Sequence, residues 1–357
     1  MQVATQYRYN LDKSSKKFHC PQCRQKRFVR VIDTETQDYL PDHVGRCDRE
    51  SGCGYEYKWS EWLKEQGTDI KPFIEVKPIE QPKPIDYLPL ELLGKTTRHY
   101  NRNNLFSFFS KLFTQPVALD VFKRYLIGTS TYWNGATIYW QIDKDAKVRQ
   151  CKIMLYHPET GKRVKAGAPV QRYNRKEKMF ITEIAADDCS KIYGKYLTDY
   201  TKDLNLEQTF FGAHLLAEFP NKPVCITESE KTALICSVYM PDFIWLATGG
   251  ASGCRWKEYN TYKILTNRTV TFFPDYGWFN KKTEKTCYQE WCDRVERIKD
   301  VIPGKIRVSN LVETRLVNIE RADQDLADLL IVRDGKTGIA LTDAGYPVNW
   351  DYQPNAI

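Results

Sequence analysis

The chain has 357 residues, which is enough for two or three domains that each bury a core. Its hydrophobic content of 42% and charged content of 27% are typical of a soluble globular protein, and no apolar run is long enough to span a bilayer. The formal net charge of +8 suits a nucleic-acid partner. Because the first residues also lack an apolar signal core, we expect a cytoplasmic protein without a membrane partner.

The first predicted unit, residues 1–66, is organised around four cysteines. Cys20 and Cys23 form a Cys-x-x-Cys pair, and Cys47 and Cys53 follow after a segment that reads as a β-hairpin. Two cysteine pairs joined by a hairpin predict a zinc ribbon, in which four thiolates surround structural zinc. The alternative is four reduced thiols, which would leave a small unit with little core and no staple. His19 and His43 are alternative ligands.

The remaining cysteines do not suggest a disulfide framework. The total of eleven is odd, and several cysteines stand singly inside apolar segments, so we expect reduced thiols. Basic and aromatic residues alternate around the predicted zinc site, and the cations with candidate roles in binding nucleic acid are Lys26, Arg27 and Arg30. This pattern favours phosphate contacts and base stacking on single-stranded DNA. A solvated hairpin face is the simpler alternative.

Residues 67–89 contain closely spaced prolines and predict an extended linker before the next domain. Residues 90–220 predict a basic α+β subdomain, with a helical region at 90–119 and antiparallel strands between 132 and 180. Its cations are candidate ligands for a template or a nucleoside triphosphate, although a solvated hairpin would also explain them. They are Arg98, Arg102, Lys162, Arg163, Lys165, Arg172 and Arg175.

Strand and helix patterns alternate from residue 221 to residue 332 and predict a mostly parallel sheet flanked by helices. Its first strand ends at Glu228, Glu230 and Lys231. Thr227 and Glu230 have the spacing of a helix capping box, and Lys231 is either a solvated residue or a phosphate ligand. Glycines at 249, 250 and 253 predict either a phosphate-binding loop or a plain turn. Residues 333–357 form a C-terminal extension.

This region resembles the TOPRIM domain of primases, topoisomerases and some nucleases. The resemblance rests on Ile226–Lys231, on the strand that ends at Asp275, and on the acidic segment that begins at Asp325. It implies that Glu228 acts as a general acid/base or metal-linked residue, and that Asp275 and Asp325 hold Mg²⁺ or Mn²⁺. Gly277 stands where the family has a second aspartate, which leaves one metal site or none as alternatives. For Asp325 the plain alternative is a helix amino terminus.

The order of zinc ribbon, linker, basic subdomain and TOPRIM-like domain resembles that of bacterial and phage primases carried by mobile elements. The resemblance implies a multidomain α/β protein that makes RNA primers on single-stranded DNA from nucleoside triphosphates. A separate helicase or replication protein would then be a partner. The alternatives are a catalytically degenerate primase that only binds DNA, and a TOPRIM nuclease.

Overall fold

The computed structural model describes residues 8–49, 52–67, 83–192, 204–251, 253–277, 279–315 and 324–331. The chain divides into two compact units, the first containing residues 1–83 and 278–287 and the second containing residues 84–277 and 288–357. Most of the predicted linker and the whole C-terminal extension lie outside the described residues. The structure is a mixed α/β fold with several sheets, one of which is parallel.

The first unit contains a four-stranded antiparallel sheet whose strands lie in sequence order. The strands are β1 (Tyr9–Leu11), β2 (Phe28–Asp33), β3 (Gly45–Cys47) and β4 (Glu56–Tyr57). Helix α1 (Trp59–Glu65) follows directly after β4. The predicted hairpin between the cysteine pairs is confirmed as β2 and β3.

Two small apolar clusters support this unit. Phe28 is fully buried beside Cys20 and Cys47, and a second cluster forms around Val31 and Val44. These clusters are small because a short chain segment can bury little apolar area. We therefore expect this unit to need a further stabilising element, such as a bound metal.

The second unit begins with three helices and an antiparallel sheet. The helices are α2 (Leu90–Thr96), α3 (Asn104–Leu112) and α4 (Gln115–Arg124). The aromatic face predicted for this region packs inward, with Phe106 and Phe109 both against Phe122. The side chain of Asn103 caps α3 by accepting from the backbone amides of Leu105 and Phe106.

The predicted antiparallel strands are confirmed and form two sheets. The larger sheet has the order β10-β7-β6-β5, and its strands are β5 (Gly128–Ser130), β6 (Ala136–Ile142), β7 (Val148–Met154) and β10 (Ser190–Ile192). The smaller sheet is a two-stranded hairpin formed by β8 (Pro169–Asn174) and β9 (Met179–Ile184).

The predicted parallel sheet is also confirmed. Its strands are β11 (Val224–Thr227), β12 (Ile244–Ala247), β13 (Thr269–Phe273) and β16 (Lys305–Val308), in the order β12-β11-β13-β16. All residues of β11 and β12 are buried, as expected for a parallel sheet that is covered on both faces.

The strand order creates a switch point between β11 and β13. The chain passes from β11 to β12 on one side, and then returns to β13 on the other side of β11. Ligands of open α/β sheets bind outside the carboxyl ends of the strands at such a point. The carboxyl ends of β11 and β13 are therefore the place to look for a site.

The remaining elements complete the two units. They are α5 (Leu215–Glu218), α6 (Glu230–Tyr239), α7 (Tyr259–Tyr262), β14 (Phe279–Asn280), β15 (Lys285–Thr286), α8 (Cys287–Lys299), α9 (Leu311–Arg315) and α10 (Leu326–Leu330). Strands β14 and β15 form a hairpin in the first unit, where Lys282 pairs with Glu56. Helix α6 packs on β12, and Trp291 of α8 packs against Phe272 of β13. Among the described residues, no helix has the length and apolar character that crossing a membrane requires.

Candidate functional site

The four predicted cysteines of the first unit converge. Their sulfur atoms all lie within 4.8 Å of one another, with 3.7 Å between Cys20 and Cys53 and 3.9 Å between Cys23 and Cys47. Four sulfurs that each lie ~2.3 Å from one tetrahedral zinc ion are separated by about 3.8 Å. The observed spacing therefore fits zinc, and the histidine alternatives are not needed.

The backbone shapes both cysteine knuckles. The carbonyl of Cys20 accepts a hydrogen bond from the amide of Arg24, and the carbonyl of Arg49 accepts from the amides of Cys53 and Gly54. Gly54 has a φ of +67°, a left-handed conformation that glycine adopts without a steric penalty. The wider second knuckle thus still presents Cys53 to the cluster.

The thiols of the cysteine cluster differ in how readily they lose their protons. A hydrogen bond from the backbone of Gln25 lowers the pKa of Cys23 to about 7. Burial raises the pKa of Cys47 to about 12, so this thiol keeps its proton at neutral pH when no cation is bound. Zinc binding replaces such protons and releases them to solvent.

The predicted DNA-binding cations of the first unit differ in their surroundings. Lys26 and Arg27 are exposed in the segment before β2. The side chain of Arg30 is only 16% exposed, pairs with Asp42 at 3.0 Å, and lies over the rings of Phe18 and Tyr39. Arg30 therefore has a structural role within the ribbon.

The first predicted carboxylate of the second unit lies at the switch point. Glu228 directly follows β11 and is only 7% exposed. Its backbone carbonyl accepts a hydrogen bond of 2.8 Å from the amide of Gly249, which lies in the loop after β12. Two neighbouring strand ends thus hold the position of this residue.

The other two predicted carboxylates oppose each other across a short antiparallel bridge. Tyr276 pairs with Gln324, and the amide of Tyr276 donates to the carbonyl of Gln324 at 2.7 Å. In an antiparallel pair, the residue before one partner lies opposite the residue after the other, which here places Asp275 opposite Asp325. Thr232 of α6, four residues after Glu228, donates to Asp325 at 2.5 Å. Glu228 and Asp275 thus each follow a strand of the parallel sheet at its carboxyl end, and Asp325 lies beside Asp275.

Burial changes the ionisation of two groups near these carboxylates. Burial raises the pKa of the Cys236 thiol on α6 well above its usual range, and the carboxylates of Asp325 and Asp275 raise it further. Burial, followed by the charge of Glu230 and a smaller contribution from Asp325, also raises the pKa of Tyr156. Both groups therefore keep their protons at neutral pH.

The three predicted carboxylates do not converge as the four cysteines do. Among the described residues, the only group of three or more side chains close enough to share a metal is the cysteine cluster. Mg²⁺ needs only one or two carboxylates, because water and substrate phosphates complete its octahedral shell. Asp275 and Asp325, which lie opposite each other beside the Tyr276–Gln324 bridge, would be these two carboxylates. Gly277 is exposed and supplies no further ligand.

Glu230 does not form the predicted capping box. Helix α6 begins at Glu230 with Ser229 as its N-cap, and the hydroxyl of Thr227 donates to the carbonyl of Ser229 instead. The Glu230 carboxylate is buried and accepts from the ammonium group of Lys152 at 3.0 and 3.2 Å. The capping-box prediction is wrong because Thr227 belongs to the parallel sheet.

Lys152, which the sequence analysis did not select, joins the larger antiparallel sheet of the second unit to the parallel sheet. It lies on β7, and its ammonium group also donates to the carbonyl of Gly249 at 3.1 Å. Gly249 has a φ of +82°, and a Cβ atom there would lie 3.0 Å from the Glu230 carboxylate. The sequence gives one weak signal for this contact, a lysine between Cys151 and Ile153 in an otherwise apolar strand segment.

A polar cavity of about 410 Å³ lies beside this ion pair. Lys152, Arg163, Glu230, Thr248 and Gly249 contribute to its wall. None of the three predicted carboxylates lines this cavity. The residues of the cavity wall and the proposed metal ligands are therefore two different sets. The glycine loop borders the cavity, as a phosphate-binding loop would.

The predicted phosphate-binding cations of the second unit fall into two groups. Some are held by carboxylates or carbonyls: Arg163 and Lys165 pair with Asp188, Arg172 pairs with Glu183, Lys231 donates to the carbonyl of Gly161, and Arg98 donates to the carbonyl of Lys95. The others, Arg102, Lys162 and Arg175, are exposed. Arg98 and Lys165 are exposed as well, but they would have to give up their present partners in order to bind phosphate.

Asp325 allows a first test, because it has a structural role beside its proposed metal role. It is the N-cap of α10, and its side chain accepts from the amide of Asp328 at 3.1 Å. We expect Asp325→Ala to lower the free energy of unfolding by about 1 kcal/mol, whereas Asp325→Asn keeps the cap. Urea titration of both variants measures this difference. Equal destabilisation by asparagine and alanine would show that the charge, and not the cap, stabilises this end of the sheet.

The zinc-ribbon prediction agrees with a comparison with known families. Residues 7–68 match a family described as a zinc beta-ribbon finger. This match and the cysteine cluster support structural zinc. Residues 103–276, just under half of the chain, match a domain of unknown function, DUF6371.

Other comparisons add little about function. No curated protein matches the chain. A similar solved structure is the primase fragment of the bacteriophage T7 primase-helicase protein, at 12% identity, over 82% of this chain and 88% of that chain. The TM-score of 0.30 is too low for this likeness to support an argument about the fold or the site.

Proposed function

We propose that the protein is a primase-like nucleotidyltransferase that makes RNA primers on single-stranded DNA. The observation that carries the proposal is the approach of Asp275 and Asp325 through the Tyr276–Gln324 bridge, at the switch point where Glu228 ends its strand. Joining nucleotides requires a divalent cation at the phosphates, and carboxylate oxygens are its preferred protein ligands. We also propose that the protein is cytoplasmic, as its sequence predicts.

The roles of the residues follow from their positions. Asp275 and Asp325 would bind Mg²⁺ or Mn²⁺, which would neutralise the phosphate charge of a nucleoside triphosphate. Glu228 would hold or accept a proton at the reacting hydroxyl, because its low exposure keeps bulk water away. The exposed cations Lys162 and Arg102 would contact phosphates, and the zinc ribbon would bind template through Lys26 and Arg27.

A primer-synthesis assay tests the proposal. The full chain is incubated with single-stranded DNA, labelled nucleoside triphosphates and Mg²⁺ or Mn²⁺. We expect label incorporation by the wild type and a decrease of about a hundredfold or more in Glu228→Gln and Asp275→Asn, because each change removes a carboxylate that touches the reacting groups. Asp300→Asn is the matched control. Asp300 is exposed and precedes the amino end of β16, whereas the proposed site lies at the carboxyl ends of the strands.

The result also separates the alternatives. Equal incorporation by all four proteins would contradict the assignment of the acidic centre. DNA binding without incorporation would favour a degenerate primase, an alternative that the glycine at position 277 supports. Cutting of DNA without nucleotides would favour a TOPRIM nuclease.

A further inference from the structure

The β8–β9 hairpin carries an aromatic pair formed by the half-buried Tyr173 and the exposed Phe180. Tyr173 and Phe180 are direct partners in the strand register, and their rings are 5.4 Å apart in an edge-to-face arrangement. Phe180 is 36% exposed, and Ile184, four residues further along the same strand face, is 65% exposed. Exposed large apolar side chains on one face of a hairpin commonly mark a binding surface.

The tip of the hairpin carries an excess of positive charge. Residues 175–178 read Arg-Lys-Glu-Lys and are all exposed. The side chain of Asn174 accepts from the amides of Lys176 and Glu177, which orders the turn. Among the described residues, no carboxylate forms an ion pair with Arg175, Lys176 or Lys178. The tip therefore differs from Arg163, Lys165 and Arg172, which have carboxylate partners.

The third aromatic residue of this basic region is not available for stacking. Tyr156 is 3% exposed, and its hydroxyl accepts a hydrogen bond of 2.9 Å from Tyr139. Tyr156 is therefore part of the buried core and not of a stacking surface.

We propose that Tyr173 and Phe180 form a stacking platform for unpaired bases, and that Arg175, Lys176 and Lys178 bind the adjacent phosphates of single-stranded nucleic acid. This inference rests on the proposed function, because it assigns the template strand to one part of the surface. Aromatic rings beside a cationic path are the usual means of binding single strands without sequence preference. The surplus of cations at the tip favours a polyanion over a second copy of this chain, whose own tip would be repelled.

Binding of a labelled oligothymidylate to the full chain tests the platform. We expect Phe180→Ala to weaken binding about tenfold, which corresponds to the loss of one stacked base. Phe180→Leu is expected to weaken it similarly, because leucine preserves apolar contact with Tyr173 but cannot stack. Met179→Ala is the matched control and should bind as the wild type does, since it removes an exposed apolar side chain from the opposite face of the same strand.

The tip is tested by the salt dependence of the same binding reaction. Changing Arg175, Lys176 and Lys178 together to glutamine is expected to reduce the slope of log K against log salt by about 2, or ~0.7 for each phosphate that is no longer neutralised. Oligouridylate, used in parallel, establishes whether the platform takes RNA as well as DNA. A weaker complex of Phe180→Ala with either polymer supports the platform.

The outcomes distinguish this inference from the function on which it rests. If the wild type binds and the Phe180 variants bind equally well, the platform is wrong and the proposed function stands. If the wild type binds no single strand, both are wrong. If Met179→Ala weakens binding as much as Phe180→Ala, the stacking role is contradicted. If the Phe180 variants change sedimentation rather than binding, the face joins copies of the chain and the stacking role is also contradicted.

Discussion

Replacing Cys20 with serine is expected to unfold the zinc ribbon in the first unit and to abolish its zinc content. The four sulfurs lie within 4.8 Å of one another, and the apolar clusters around Phe28 and Val31 are small. In small ribbons of this kind, metal binding supplies most of the folding free energy, about 10–16 kcal/mol. Zinc measured by mass spectrometry in the purified full chain should be one per chain for the wild type and close to zero for Cys20→Ser.

A histidine variant is the control, because His43 is not needed as a zinc ligand. His43→Ala should retain one zinc, because the cysteine cluster is complete without a histidine and the ring of His43 contacts Tyr57 instead. Amide spectra should show loss of dispersion in residues 8–67 of Cys20→Ser only. A zinc-free wild type with a folded ribbon, or a Cys20→Ser variant that keeps its zinc, would contradict the prediction.

Acidification should have the same effect as the ligand substitution. Without a cation, burial holds the pKa of Cys47 far above neutrality, so this thiol prefers its proton and zinc must displace it. Lowering the pH increases this competition, and zinc affinity is expected to fall. Titration with a zinc chelator at several pH values measures the trend, and an affinity that does not change with pH would argue against thiolate ligands.

The features set by local patterns were predictable from the sequence. The spacing of Cys20, Cys23, Cys47 and Cys53 led to the metal cluster, and the apolar strand before Glu228 led to the parallel sheet. Local patterns suffice in these cases because thiolate geometry and strand burial constrain residues that lie close in the sequence or repeat with a fixed period.

Contacts between distant segments were not predictable. The partner of Glu230 is Lys152, 78 residues away, and its place in an apolar strand segment does not indicate which carboxylate it meets. The cations were also harder to interpret, because Arg172 is neutralised by Glu183 only through the register of the hairpin. A basic cluster in a sequence therefore overestimates the positive surface, since the pairing partners depend on the tertiary fold.

The ion pair between Lys152 and Glu230 is expected to contribute strongly to the stability of the second unit. Its side chains are 17% and 2% exposed, and Lys152 also bonds the carbonyl of Gly249. Removing one partner leaves an uncompensated buried charge, so Lys152→Met and Glu230→Gln should each lower the free energy of unfolding by about 3–5 kcal/mol. Urea titration measures both, with Lys95→Met as the matched control, since the Lys95–Glu91 pair is exposed and worth less than about 1 kcal/mol.

The same pair should also affect the candidate site. Lys152 holds the carbonyl of Gly249, and the amide of Gly249 holds the carbonyl of Glu228, so the position of the proposed catalytic carboxylate depends on a lysine from the other sheet. The double variant Lys152→Met with Glu230→Leu removes both charges. Its free energy of unfolding should therefore be higher than that of either single variant. If it recovers stability but not primer synthesis, the pair positions Glu228 in addition to stabilising the fold. If the single changes cost no more than Lys95→Met, the pair is not buried as the structure has it, and the link between the two sheets must be sought elsewhere.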